Sequence, residues 1–228
     1  IRNVQPLAAR YRYGQVALAH NGNLVNAAIL RESLEERGSI FNTTSDTEVI
    51  LHLIATSRQT TFVNRLVEAL SQVSGAYSLL LLTEEVLVAV RDPLGIRPLV
   101  LGKMNESYIF ASETCALDII GAKFVREVEN GEVVVISADG IKSYKPFPKK
   151  PERPCIFEYI YFARPDSIVG GKSIYECRKE FGRELAKESN VEADMVIPIP
   201  DSGVPSAIGY AEQAGIPFEL GITRNHYV

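Results

Sequence analysis

At 228 residues, 46% of them hydrophobic, the chain falls in the ordinary soluble globular class and can bury one large core or two small ones. A formal net charge of −4, with no basic run beyond Lys149-Lys150, excludes an electrostatic footprint for nucleic acid or an anionic membrane. No apolar stretch approaches the roughly 20 residues of a membrane span, and the first residues lack a signal-peptide pattern, so a cytoplasmic location is expected. Cys115, Cys155 and Cys177 are far apart, form no CxxC pair and read as free thiols.

Ile1 opens a stretch, residues 1–13, that starts without methionine and without a start signal for any element, as in a chain cut within a domain. Residues 15–19 then alternate in the period of a half-buried strand, with Val16 and Leu18 on one face, and Asn21-Gly22 is expected to end that strand at a corner. From Leu24 the period lengthens to that of a helix that Gly38 stops. An Asn-Gly pair at such a place reads as a turn that tolerates positive φ. The same pair also reads as two donors, the Asn21 amide and the Gly22 N–H, aimed at one point as an oxyanion hole.

Ser45-Asp46-Thr47-Glu48 has capping-box spacing and predicts a second helix. Asp46 in its first turn reads either as a carboxylate complementing the helix dipole or as a fixed anion awaiting a cation. Val63, Leu66, Val67, Leu70 and Val73 form the stripe of a third helix ending near Gly75. Strands follow: 77–82 paired with 86–90, a turn at 92–95, then 98–101 and 108–111. Glu129-Asn130-Gly131-Glu132 is expected to join 124–128 to 133–136 as a hairpin, with Asp139-Gly140 closing the next. Residues 1–145 thus read as a layered α+β domain.

Pro146, Pro148, Pro151 and Pro154 mark 146–154 as a stiff linker. Beyond it, in 155–228, the order alternates: 156–162 as a first extended segment, a helix opened by the capping box Ser173-Ile174-Tyr175-Glu176, a strand at 195–199, a helix at 205–214 and a strand at 218–222. That is a βαβ unit with parallel strands, so the second domain reads as α/β. The loop Asp201-Ser202-Gly203-Val204-Pro205-Ser206 lies between a strand end and a helix start, where unpaired N–H groups favour an anion such as phosphate, though a Ser-Gly loop is equally a tight connection. It is neither a Walker loop nor GxGxxG.

In this order LAHNGNLVN, TTSDTEV, VRDPLGIRPL, ASETCALDIIGA, EYIYFARPDS and PDSGVPSA resemble the glutamine phosphoribosylpyrophosphate amidotransferase (amidophosphoribosyltransferase) family, from Asn3 to the end of the chain. The resemblance implies an N-terminal-nucleophile glutaminase domain followed by a type I phosphoribosyltransferase domain. It further implies a homo-oligomeric enzyme whose substrates are glutamine and phosphoribosyl pyrophosphate and whose product is phosphoribosylamine, in the first committed step of purine synthesis. By the same resemblance Asn21 and Gly22 match the oxyanion-hole pair, and Asp46 the residue that holds glutamine's α-ammonium. Asp201, Ser202, Gly203 and Ser206 match the pyrophosphate loop, with Ser202 helping to bind magnesium, and EYIYFARPDS matches the segment between the two sites. Cys155 aligns with the first ligand of the 4Fe-4S cluster in members that carry one, and cluster-free members also keep a cysteine there. Cys115 and Cys177 match no catalytic position, and His20 reads as a packed histidine.

The chain lacks the family's N-terminal cysteine nucleophile, its arginine strand for glutamine's carboxylate and its acidic phosphoribosyl loop, and it has His226 where the family usually has arginine. It therefore reads as an internal fragment, inactive alone. The alternatives are another amidotransferase of the same nucleophile class, which should lack FARPDS and PDSGVPSA, and a non-catalytic binding module using the fold.

Overall fold

In the computed structural model, which describes residues 2–225 and Tyr227, the segment expected to hold no element supplies a strand, β1 (Leu7–Tyr11). It pairs antiparallel with β2 (Gly14–Leu24). There follow α1 (Ala27–Glu36), α2 (Thr47–Thr56), α3 (Phe62–Leu70), β3 (Gly75–Leu82), β4 (Leu87–Arg91), β5 (Val100–Met104) and β6 (Ser107–Ala111). After α4 (Thr114–Ile119), a helix the composition did not announce, come β7 (Lys123–Glu127), β8 (Val133–Ser137) and β9 (Gly140–Tyr144).

By its contacts the chain divides into two units, one built from the residues up to Ser112 with Ala122–Pro154, the other from Glu113–Gly121 and the residues after Pro154. In the first unit β1-β2-β3-β4-β8-β9 form one sheet and β6-β5-β7 another. Alternation gives the larger sheet two buried faces. Val16, Leu18, Leu79, Leu81, Val88 and Val90 pack with Ile50, Ile54 and Leu66 of the helices. Leu80, Ala89 and Val134 pack instead with Leu99 and Phe110 at the smaller sheet. The first unit is thus helices, sheet and sheet in layers, an α+β architecture.

Tertiary pairing overrode the local expectations in several places. Asn21-Gly22 is not a corner: β2 continues to Leu24 because β3 supplies partners throughout, Asn21 opposite Ser78 and Gly22 opposite Tyr77. A glycine is required there, since a Cβ at Gly22 would lie 2.0 Å from the Ala76 carbonyl oxygen. The 129–132 turn does not close a hairpin either. It carries the chain from β7, paired with β5, to β8, paired with β4 and β9. Glu132, 1% exposed, holds that crossing through Arg126, the Glu129 N–H and the Ser143 hydroxyl. Residues 146–154 group with the first unit, where Phe147 packs on its core and the Arg153 N–H donates to Leu94 O at 2.8 Å.

In the second unit residues 156–162 are not extended. Glu158–Phe162 form a turn of π-helix, closed beneath by Arg178, whose buried guanidinium donates to Tyr159 O (2.8 Å) and Ala163 O (2.7 Å). A short hairpin, β10 (Ile168–Val169) and β11 (Lys172–Ser173), leads into α5 (Ile174–Glu188), and the Ser173 hydroxyl caps it by accepting from the Glu176 N–H at 3.4 Å. Then comes α6 (Val204–Ala214), with Pro205 in its first turn. The strands expected around it are reduced to one parallel bridge, Val196 opposite Phe218. Glu113 and Thr114 clasp the FARPDS segment: Glu113 Oε2 accepts from the Arg164 N–H and the Ser167 hydroxyl, both at 2.7 Å, and Thr114 Oγ1 from the Ile168 N–H at 2.9 Å. No helix among the described residues is long and apolar enough to cross a membrane.

Candidate functional site

The C-terminal end of β2 concentrates polar groups on both faces of the larger sheet. Gln5 stands in for a strand partner of His20 there, its amide nitrogen donating to His20 O at 3.0 Å and its oxygen accepting from the His20 N–H. N–H groups alternate sides along a strand, so Gly22 presents its N–H on the same side as His20, away from β3. Tyr77, opposite Gly22, agrees with this. Its N–H and C=O both turn to Asp92, at 3.3 and 2.8 Å, rather than to β2. The exposed Gly22 N–H is thus free of the β3 ladder.

Asn21 projects toward the smaller sheet. Its Oδ1 accepts from Arg97 Nε (3.2 Å) and Nη2 (2.8 Å), and its Nδ2 donates to Ser112 Oγ (3.1 Å). A guanidinium only donates, so the amide oxygen must face Arg97, which settles the orientation of the amide. A small cavity of about 160 Å³ opens beside it, lined by Gln5, Ala19, His20, Asn21, Ser78 and Ser112 among others.

Asp46 stands on the helix side. It is not part of a formed capping box: Glu48 turns back to the N–H groups of Asn42 and Thr43, both at 2.8 Å, and Asp46 makes no cap bond. Asp46 Oδ2 instead accepts from the Leu24 N–H at 2.7 Å, which ties this carboxylate to the end of β2. His20 lies between α2 and the sheet with its side chain 1% exposed, Nδ1 3.0 Å from Thr47 Oγ1 and Nε2 3.3 Å from Ala76 O. Burial holds its pKa below the ordinary value, against the raising effects of the Ala76 bond and Asp46 and with a further lowering from Arg97. The 3.9 Å approach to Asp46 is therefore a contact of a neutral imidazole, not an ion pair.

Below about 6.5 the unfolded chain protonates at His20 while the folded chain does not, so stability falls as pH drops through that value toward the lowered folded pKa. Glu132, whose pKa Arg126, Ser143 and the Glu129 N–H lower against the opposing effect of burial, adds stability that is lost only below its ordinary value of 4.5. Melting temperature is expected to decline from pH 7.5 to 5.5 and again below 4.5. A flat profile over the first range contradicts the placement of His20.

In the second unit, residues 201–206 precede and open α6, and there Gly203 has φ −77°, so no positive φ is needed. What a side chain would meet at Gly203 is the Ile199 carbonyl, 2.7 Å from its Cβ. The loop engages some of its own donors: Gly203 N–H with Ile199 O (3.1 Å) and Val204 N–H with Asp201 O (3.3 Å). Pro205 has no N–H. The groups left for an anion are the Ser202 and Ser206 hydroxyls and backbone N–H groups, at half-buried positions. Asp201 is exposed, 3.6 Å from Arg224. His226 lies outside the described residues, as does Ile1.

Among the described residues no group of three or more His, Cys, Asp and Glu could hold a metal ion. Cys155 is half-buried before the π-helical turn, Cys115 is buried in α4, and Cys177 is half-buried in α5. Of a four-thiolate cluster Cys155 could supply one ligand, and neither Cys115 nor Cys177 has ligand spacing to it in the sequence. A magnesium ion carried by a diphosphate asks less of a protein, and the Ser202 hydroxyl ahead of α6 fits that demand. Sequence reasoning gave no role to Arg97, Ser112 or Gln5. The signal for Arg97 and Ser112 was present in VRDPLGIRPL and ASET, but only folding brings those two to Asn21 and Gln5 to the His20 backbone.

Residues 2–118 match the family described as a glutamine amidotransferase domain. Over its full length the chain is 56% identical to an amidophosphoribosyltransferase of Rhizobium etli, of which it covers 47%. It is also 56% identical, over its full length, to the chloroplastic amidophosphoribosyltransferase 1 of Arabidopsis thaliana, of which it covers 40%. Among solved structures, the glutamine phosphoribosylpyrophosphate amidotransferase of B. subtilis complexed with ADP and GMP superposes with a TM-score of 0.95 at 49% identity, over 99% of this chain and 50% of that one. The chain thus spans about half the length, or less, of the curated relatives it matches.

Proposed function

Because the chain belongs to the glutamine amidotransferase family, we propose that the whole protein is an amidophosphoribosyltransferase, hydrolysing glutamine and passing the ammonia to phosphoribosyl pyrophosphate to give phosphoribosylamine in purine synthesis. The observation that carries the glutaminase half is the donor pair at the end of β2: an Asn21 amide whose orientation Arg97 settles, beside a Gly22 N–H outside the β3 ladder. The match of relatives along the whole chain supports the transferase half. In this reading residues 1–145 belong to an N-terminal-nucleophile glutaminase domain and 155–228 begin a type I phosphoribosyltransferase domain. FARPDS and PDSGVPSA, within the matched span, favour it over a different amidotransferase.

The proposed chemistry uses a cysteine nucleophile of the whole protein that this chain does not contain. Its thiolate attacks the γ-carbonyl carbon of glutamine, and the carbonyl electron pair moves onto oxygen. Asn21 and Gly22 donate to that oxyanion. Collapse, with the proton given up by the thiol returned to the amide nitrogen, expels ammonia and leaves a thioester, which water hydrolyses to glutamate and the free thiol. Ammonia then displaces pyrophosphate from the ribosyl carbon, with Ser202 and Ser206 holding the diphosphate. Magnesium, with Ser202 as a ligand, would supply charge neutralisation there. A homo-oligomer in the cytoplasm completes the reading.

The test is a paired assay of the whole protein. Glutamate and pyrophosphate are expected to appear together when both substrates are present. Glutamate without any pyrophosphate would refute the transferase assignment.

Asp46 is assigned to glutamine's α-ammonium. Asp46→Asn is expected mainly to raise KM for glutamine, because that contact forms in ground and transition states alike. Its amide oxygen can still accept from the Leu24 N–H, so the melting temperature should hardly move. Lost stability with normal kinetics would return Asp46 to a purely structural role.

A further inference from the structure

We infer that Arg97 is a positioning residue for the glutaminase site, holding the Asn21 amide in the orientation that presents its N–H donors to the oxyanion; this rests on the oxyanion reading above. A primary amide can rotate by half a turn, and the flipped form would put an acceptor oxygen where a donor is required. Arg97 opposes that flip. Its Nε and Nη2 both donate to Oδ1, at 3.2 and 2.8 Å, and no flipped amide could satisfy them. Ser112 Oγ, 3.1 Å from Nδ2, engages one of the two amide hydrogens and leaves the other for substrate.

Arg97 is itself fixed from several sides. Its carbonyl accepts from Arg91 Nε (2.9 Å) and from the Ser78 hydroxyl (3.2 Å). The loop before it is tied by Asp92, fully buried, whose carboxylate accepts from the N–H groups of Leu94 (2.9 Å) and Ile96 (3.0 Å). Arg91 also donates to Gly95 O at 3.2 Å. The RDPLGIR stretch is thereby a rigid mount whose last guanidinium ends on Asn21. Support of this kind is what keeps a donor within a few tenths of an ångström of its task.

A mere cross-link between β2 and this loop would affect stability alone, so the experiment reads kcat apart from KM. In the whole protein Arg97→Met is expected to lower kcat for glutamine hydrolysis roughly 10-fold to 100-fold at nearly constant KM. Arg97→Lys, which keeps the charge but not the fork, should recover part of the loss. The double variant with Asn21→Ala should be no slower than Asn21→Ala alone, since the two residues act as one unit. Normal kcat in folded Arg97→Met, or losses that multiply in the double variant, overturns the inference while leaving the oxyanion reading intact. A silent Asn21→Ala overturns both. Where Arg97→Met does not fold, Arg97→Lys is decisive: a kcat loss at constant KM supports the role, and unchanged kcat removes it.

Discussion

Asn21→Ala in the whole protein is expected to reduce kcat for glutamine hydrolysis roughly 10²- to 10³-fold, with a much smaller change in KM, because one of two oxyanion donors is lost only as charge develops. The truncation also leaves Arg97 without the Oδ1 acceptor it now meets at 2.8 Å and Ser112 without the Nδ2 donor at 3.1 Å. Neither guanidinium nor hydroxyl need be stranded, since both sit at half-buried positions near the cavity beside Asn21. A modest stability change is therefore expected alongside the kinetic one. Unchanged turnover in a folded Asn21→Ala protein would remove the oxyanion assignment.

Gly182→Leu should have the second large effect, on the other unit. The helices α5 and α6 cross with their backbones nearly touching: a Cβ at Gly182 would lie 1.9 Å from Ser206 O, and one at Gly209 would lie 1.9 Å from Lys179 O. Glycine inside a helix ordinarily costs about 0.5–1 kcal/mol relative to alanine. Here that sign should invert. The obstructing atoms are carbonyl oxygens that no rotamer change can move, so even alanine should destabilise, toward or beyond the upper end of the roughly 1–3 kcal/mol of an overpacked core. Leucine should force the helices apart, breaking the ion pairs of Glu212 with Lys179 (2.8 Å) and Arg183 (2.9 Å) and displacing Ser206. Release of pyrophosphate should be abolished while hydrolysis of glutamine stays measurable. Urea unfolding of Gly182→Ala checks the sign, and a variant more stable than the parent would contradict the close crossing.

Helices and most strands of the first unit were legible because their signals are local. The stripe from Val63 to Leu70 and the apolar run before Leu82 need no distant partner to be recognised. At Ser173 the hydroxyl cap formed as the spacing implied, accepting from the Glu176 N–H, whereas at Ser45 the box did not form, because Glu48 found the N–H groups of Asn42 and Thr43 instead. In the second unit the expected strands dwindled to one bridge at Val196, since a strand is stable only as far as neighbours extend its ladder.

Residue chemistry alone left Asn21-Gly22 open as a turn or a donor pair and Asp46 as a helix-start or a binding carboxylate, the resemblance choosing between them, and it indicated that 201–206 opens a helix with hydroxyls at its start. What only the tertiary structure decided is how those groups are held. Asn-Gly is permissive rather than directive, so β3 could draw it into a strand and turn a supposed corner into an extended backbone with one outward N–H. The partner of Asn21, Arg97, lies 76 residues along the chain. An amide's orientation depends on what stands next to it in space, and no periodicity in the sequence records that neighbour.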